Sequence, residues 1–121
     1  MKKILFIEDE AALQKMLGDL LSHEGYSVIS ALHGDSGIKL AKKNKPDLIL
    51  LDLILPKFNG FDVLKSLKED SSTKDIPVIV FTNLEDMENI ERALSLGATT
   101  YLVKANYRLE EVLEKIRDII G

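Results

Sequence analysis

Leu48-Ile49-Leu50-Leu51-Asp52-Leu53-Ile54-Leu55-Pro56 is an apolar run with one carboxylate set in it. An unbroken apolar run, without polar alternation, marks a strand covered on both faces. A charge on a buried strand is expensive unless something pairs with it. Asp52 is therefore expected at the end of a strand over Leu48 to Asp52, facing a polar crevice. Three further runs end the same way. Ile4-Leu5-Phe6-Ile7 stops at Glu8-Asp9-Glu10. Ile76-Pro77-Val78-Ile79-Val80-Phe81 stops at Thr82, with the proline tolerated near the strand's start. Thr99 to Val103 stops at Lys104. A strand over Tyr26 to Ala31 carries no such residue.

Helical stripes fill the intervals. Leu13, Met16, Leu17, Leu20 and Leu21 share one face and are closed by Gly25. A weaker helix spans Asp35 to Lys43 and ends at Asn44 and Pro46. Pro56 and Gly60 break the chain before a helix marked by Phe61, Leu64 and Leu67. Ser71-Ser72-Thr73 is a polar loop. Met87, Ile90, Ala93 and Leu94 mark a fourth helix ending at Gly97. Leu109, Val112, Leu113, Ile116, Ile119 and Ile120 mark the last. Five strands alternating with five helices call for an α/β fold, a parallel sheet with helices on both faces. No linker or repeat divides residues 1–121, so one domain is expected, with no effector domain after the last helix.

The composition bounds the function. The 121 residues carry a net charge of −4 with no basic cluster, which argues against direct nucleic-acid binding. There is no cysteine, which excludes disulfides, thiolate metal sites and cysteine nucleophiles. The first apolar run stops too soon for a signal peptide, and no segment is long enough to span a membrane. A cytoplasmic location and no membrane association are the expectations. His23 and His33 lack metal-ligand spacing and read as surface residues.

In open α/β sheets, ligands bind outside the carboxyl ends of the strands. Glu8, Asp9, Asp52, Thr82 and Lys104 all fall at or just past such ends. Each has a plain alternative when taken alone. The acids of Glu8-Asp9-Glu10 suit a helix start, Thr82 suits a strand, and Lys104 suits a solvated surface. Together they form a constellation. Carboxylates about 4 Å apart repel by roughly 4 kcal/mol at an effective dielectric near 20. A hard divalent cation relieves this, and magnesium favours one or two carboxylates, waters and phosphate oxygens. Tyr101 is expected to be a buried core-edge residue or a moving switch.

At this point the chain resembles the receiver domains of two-component response regulators, the CheY-like family. The resemblance rests on Phe6-Ile7-Glu8-Asp9-Glu10, on Leu50 to Pro56 followed by Gly60, on Val80-Phe81-Thr82, on Ala93 to Ala98, and on Tyr101-Leu102-Val103-Lys104. It implies a flavodoxin-like (βα)5 doubly wound sheet in the order 2-1-3-4-5. By position, it implies Asp52 as phosphoacceptor and Asp9 as direct magnesium ligand. Glu8 matches an acid acting through metal-bound water, and the Ile54 backbone carbonyl matches a further ligand. Thr82 and Lys104 match the phosphoryl-binding hydroxyl and cation, and Tyr101 the aromatic whose rotamer reports the site.

The implied role is a phosphorylation-activated switch and not a turnover enzyme. It would receive its phosphoryl group from a sensor histidine kinase or a histidine phosphotransfer protein. Its output would pass through the face formed by helix 4, strand 5 and helix 5, to a downstream protein, an absent C-terminal effector or a phosphorylation-dependent homodimer. Three departures modify the expectation, the first being Ile54, which is bulkier than some choices near the site although only its carbonyl is asked to bind metal. Ala105 replaces the usual proline, and because a cis bond before alanine costs ~3–4 kcal/mol, Lys104-Ala105 is expected trans. Asn83 stands where a smaller residue is common and is expected to modulate phosphate lifetime. Three rivals remain: a haloacid-dehalogenase-type phosphatase, which would want a second aspartate at Ile54; a flavin carrier, whose phosphate Glu8-Asp9-Glu10 would repel; and a degenerate receiver that only binds.

Overall fold

The computed structural model describes residues 1–121. Five strands form one parallel sheet: β1 (Lys3–Ile7), β2 (Ser27–Ala31), β3 (Leu48–Leu51), β4 (Val78–Thr82) and β5 (Thr100–Val103). Their order is β2-β1-β3-β4-β5, as expected. The helices between and after them are α1 (Ala11–His23), α2 (Gly34–Asn44), α3 (Gly60–Glu69), α4 (Met87–Ser95) and α5 (Leu109–Ile120).

The strand runs are apolar throughout because both faces are covered. Successive side chains point to opposite faces, and the core divides accordingly. Ile4, Phe6, Leu48, Leu50, Ile79 and Phe81 pack with Leu17 and Leu21 of α1 and with Val112, Leu113 and Ile116 of α5. Leu5, Ile7, Ile49, Leu51, Val78 and Val80 pack with Ala41 of α2, with Phe61, Leu64 and Leu67 of α3 and with Ala93 of α4.

Two helical stripes differ from expectation. In α1, Met16 is 61% exposed while Gln14 is buried. The inward positions are Gln14, Leu17 and Leu21, so a polar residue occupies the end of the stripe nearest the strand ends. In α4, Met87 and Leu94 are exposed and only Ala93 is buried. That helix is short and lies against the sheet on its one small residue. Arg92 adds a second hold, stacking 4.2 Å over the Phe61 ring. Elsewhere boundaries move slightly. Tyr26, Ile76 and Pro77 lie outside their strands, and Asp52 lies one residue past β3. His23 and His33 are exposed, as expected.

Glycine positions give a paired test. A Cβ on Gly60 would stand 2.3 Å from the Leu53 Cα and 2.7 Å from its carbonyl oxygen. Backbone cannot yield as a side chain tip can, so Gly60→Ala is expected to destabilise by about 2–3 kcal/mol. A Cβ on Gly18, inside α1, meets nothing within 4 Å. Gly18→Ala is expected to stabilise by about 0.5–1 kcal/mol. Urea midpoints at constant slope read both, and the two shifts should be opposite in sign.

Candidate functional site

The sheet ladder runs on past the ends of the strands and fixes where the acids stand. The Glu8 N–H donates to the Ala31 carbonyl at 2.9 Å, and the Asp52 N–H donates to the Ile7 carbonyl at 3.0 Å. Glu8, Asp9 and Asp52 are thereby brought side by side at the ends of the adjacent strands β1 and β3. One carboxylate oxygen from each lies within 4.8 Å of the other two. Glu8 and Asp52 are buried and Asp9 is exposed. The three open onto a cleft of about 570 Å³, which Asn83, Ile54 and Pro56 also line.

Lys104 reaches back from the end of β5 over β4. Its ammonium donates to Glu8 Oε1 at 2.6 Å and to Asp52 Oδ2 at 3.0 Å. Both carboxylates have a second donor. Glu8 Oε2 accepts from the Glu10 N–H at 3.1 Å, and Asp52 Oδ1 accepts from the Ile54 N–H at 3.0 Å. Burial pushes the Glu8 carboxyl up to about 7, the Lys104 bond opposing this and the Asp52 charge reinforcing it. Burial also pulls Lys104 down, but its bonds to Glu8 and Asp52 outweigh this and leave it above the ordinary lysine value. Two acids share one ammonium beside a third acid, so the site holds a surplus of negative charge.

Thr82 is fully buried at the end of β4, and its hydroxyl has no hydrogen-bond partner. A buried hydroxyl without a partner is uncommon and calls for an explanation. Tyr101 is half-buried, and its hydroxyl donates to the Leu84 carbonyl at 2.7 Å, tying β5 to the loop before α4. Burial, with the charges of Asp52 and Asp86, raises its phenol above the ordinary value. The Lys104-Ala105 bond is trans, as expected, and the chain there makes a 3-10 turn over Lys104–Asn106. Ile54 is half-exposed and bridges to Asn59 across the loop after β3.

The candidate site residues thus lie at one end of the sheet. Glu8, Asp9, Asp52, Asn83 and Lys104 share a cleft, with Thr82 beneath and Tyr101 behind it. One residue escaped the sequence reading. Gln14 is buried against the same strand ends, and the signal for it was a polar side chain three and seven residues before Leu17 and Leu21.

The chain matches the response regulator receiver domain family over residues 4–117. It is 38% identical over 120 residues to the DNA-binding dual master transcriptional regulator RpaA of a Synechocystis strain, covering 99% of this chain and 49% of RpaA. It spans about half the length of the curated relatives it matches. The expectation of no nucleic-acid contact therefore concerns these 121 residues alone. Among solved structures, Vibrio cholerae chemotaxis protein CheY4 superposes with a TM-score of 0.92 at 28% identity, over 99% of both chains. The receiver domain of the Pseudomonas aeruginosa sensor histidine kinase PA1611, solved with magnesium in its active-site cleft, superposes at 0.89 with 25% identity, over 99% of this chain and 98% of that one. This chain belongs to the family of response regulator receiver domains of two-component signalling.

Proposed function

We propose that Asp52 is the phosphoacceptor of a signalling switch, charged from a phosphohistidine on a sensor kinase or phosphotransfer protein. The observation that carries this is the Lys104 ammonium held between Asp52 and Glu8, beside Asp9 and above an unpartnered Thr82 hydroxyl. In the reaction an Asp52 carboxylate oxygen bonds to phosphorus, the bond from phosphorus to the imidazole nitrogen breaks, and the imidazole takes a proton. Lys104 balances charge on the transferring group, which is positioning and electrostatics more than covalent chemistry. A phosphoryl oxygen beside Asp52 supplies the acceptor that the Thr82 hydroxyl lacks.

The acid cluster fits magnesium: its three carboxylates converge, one of them is open to water, and their charge exceeds what Lys104 neutralises. Glu8, Asp9 and Asp52 would hold it, with the Ile54 carbonyl as a further oxygen. When bound it supplies charge neutralisation at the phosphoryl oxygens. Asn83 stands at the cleft's mouth, where its amide controls the approach of water to the acyl phosphate and hence its lifetime. Output follows from Tyr101. A Thr82 hydroxyl drawn toward the phosphoryl group moves the loop through Leu84, whose carbonyl Tyr101 holds. The neighbouring α4 presents Met87 and Leu94 to solvent, an apolar face for a protein partner on α4, β5 and α5.

Two measurements test the reading. Intact-mass spectrometry with acetyl phosphate and magnesium is expected to show one added phosphoryl group, absent from Asp52→Asn; full labelling of that variant would remove Asp52 from the role. The second is a pH series on metal-free protein. Glu8 keeps its proton to about 7 when folded, against 4.5 unfolded, so the folded state binds more protons between those values. Stability therefore falls as pH rises from about 4.5 to 7. Thermal melts should show this fall in wild type relative to Glu8→Gln, and saturating magnesium should abolish the difference in slope.

A further inference from the structure

We propose that Gln14 is a positioning residue for the acidic pair, its side-chain amide holding the turn from β1 to α1 so that Glu8 and Asp9 stand in place for the divalent cation. This rests on the cation-assisted reading of the site. Gln14 is 7% exposed, on the face of α1 turned to the strand ends. Its Nε2 donates to the carbonyls of Phe6 at 2.9 Å, Glu8 at 3.0 Å and Ala31 at 3.2 Å. These three oxygens belong to the last turn of β1, to the acid itself, and to the end of β2. One side chain therefore pins two neighbouring strands and the residue that follows one of them.

The Glu8 carbonyl is the telling partner. The Phe6 and Ala31 carbonyls sit within the sheet, and Ala31 already accepts from the Glu8 N–H. No backbone N–H reaches the Glu8 carbonyl, so Gln14 is what satisfies it. Besides Gln14, the turn is held by the Glu8 N–H on the Ala31 carbonyl and the Glu10 N–H on Glu8 Oε2. It is three residues long, and the N-cap of α1, Glu10, makes no side-chain cap bond.

The same side chain is poorly matched to its surroundings in one respect. Two N–H groups serve three carbonyls, while Gln14 Oε1 is buried without a partner. A stranded acceptor is unfavourable. An apolar side chain would fill the space without it. What the amide contributes is its donors, and all of them go to the strand ends below the acids. Fixing the backbone at residue 8 fixes where both carboxylates start, which is how groups behind a metal's ligands set affinity.

Gln14→Met keeps the volume and removes the donors. Calorimetric titration with magnesium is expected to give about tenfold weaker binding than wild type. Thr73→Val is the control: it removes a buried hydroxyl bond to the Leu67 carbonyl in the loop before β4 and is expected to leave magnesium affinity unchanged. Affinity within twofold of wild type in Gln14→Met, or equal weakening in Thr73→Val, overturns the proposal. Amide hydrogen exchange on metal-free protein tests it without the ion. The Glu8 and Glu10 amides, bonded to the Ala31 carbonyl and to Glu8 Oε2, should exchange about tenfold faster in Gln14→Met, and unchanged exchange also overturns it. If wild type binds no magnesium, the cation reading of the site falls, and the exchange result alone then decides whether Gln14 holds the turn. Should Gln14→Met not fold, Gln14→Asn, one methylene too short to reach all three carbonyls, carries the same expectations.

Discussion

The ion cluster of Lys104 with Glu8 and Asp52 is the interaction on which the rest of the site depends. Taking charges out of water is costly, and a buried pair survives only with good geometry and satisfied lone pairs. Here the geometry comes from the sheet. β1 and β3 are neighbours, so their ends carry Glu8 and Asp52 side by side. β5 lies two strands from β3, and only a long side chain spans the end of β4 to join them. On the way the Lys104 ammonium passes 5.9 Å above the Phe81 ring. Each acid keeps a backbone donor on its other oxygen, so neither relies on Lys104 alone. The cluster is satisfied in hydrogen bonds but unbalanced in charge. That combination leaves a well-ordered place that still attracts a cation.

Much of this was legible in the sequence, for a definite reason. The strands are buried on both faces, so they read as unbroken apolar runs, and the residues that interrupt those runs had to lie at strand ends. Asp52 after Leu51, Glu8 after Ile7, Thr82 after Phe81 and Lys104 after Val103 follow from that one constraint. The trans bond at Lys104-Ala105 was legible because cis geometry before a non-proline residue is so unfavourable. Where Lys104 lands was not legible, since a lysine at a strand end serves solvent equally well. Periodicity failed twice. It placed Met16 inward and overlooked Gln14, because a hydrophobic count does not register carbonyls that need donors. It placed Met87 and Leu94 inward, because a stripe does not reveal that its helix buries a single alanine.

Those two failures mark opposite halves of the molecule. On the side of β1 and β3 the frame is tight. Gln14 gathers three carbonyls, and Gly60 lets the loop after β3 press against Leu53 with no room for a methyl group. Gly37 brings α2 equally close to the Ile7 side chain. Around α4 and the loop that follows β4 the hold is slight. α4 buries one residue, Thr82 has a hydroxyl without a partner, and a single tyrosine bond ties the intervening loop to the sheet. Regions with few buried contacts open and shift at low free energy, while densely packed ones do not.

That asymmetry suits a switch in a way that uniform packing would not. A ligand shifts an equilibrium only by its differential interaction with the two states. In the proposed switch, contacts made on the tight half would change little between states and would anchor the phosphoryl group. Contacts made on the loose half would differ between states, because the proposed Thr82 contact forms only if its loop moves. On that proposal, binding and response fall to different strands of one sheet. Stiffening α4 would leave the acids in place and still weaken the response, whereas loosening the turn held by Gln14 would weaken binding and leave the output face unchanged.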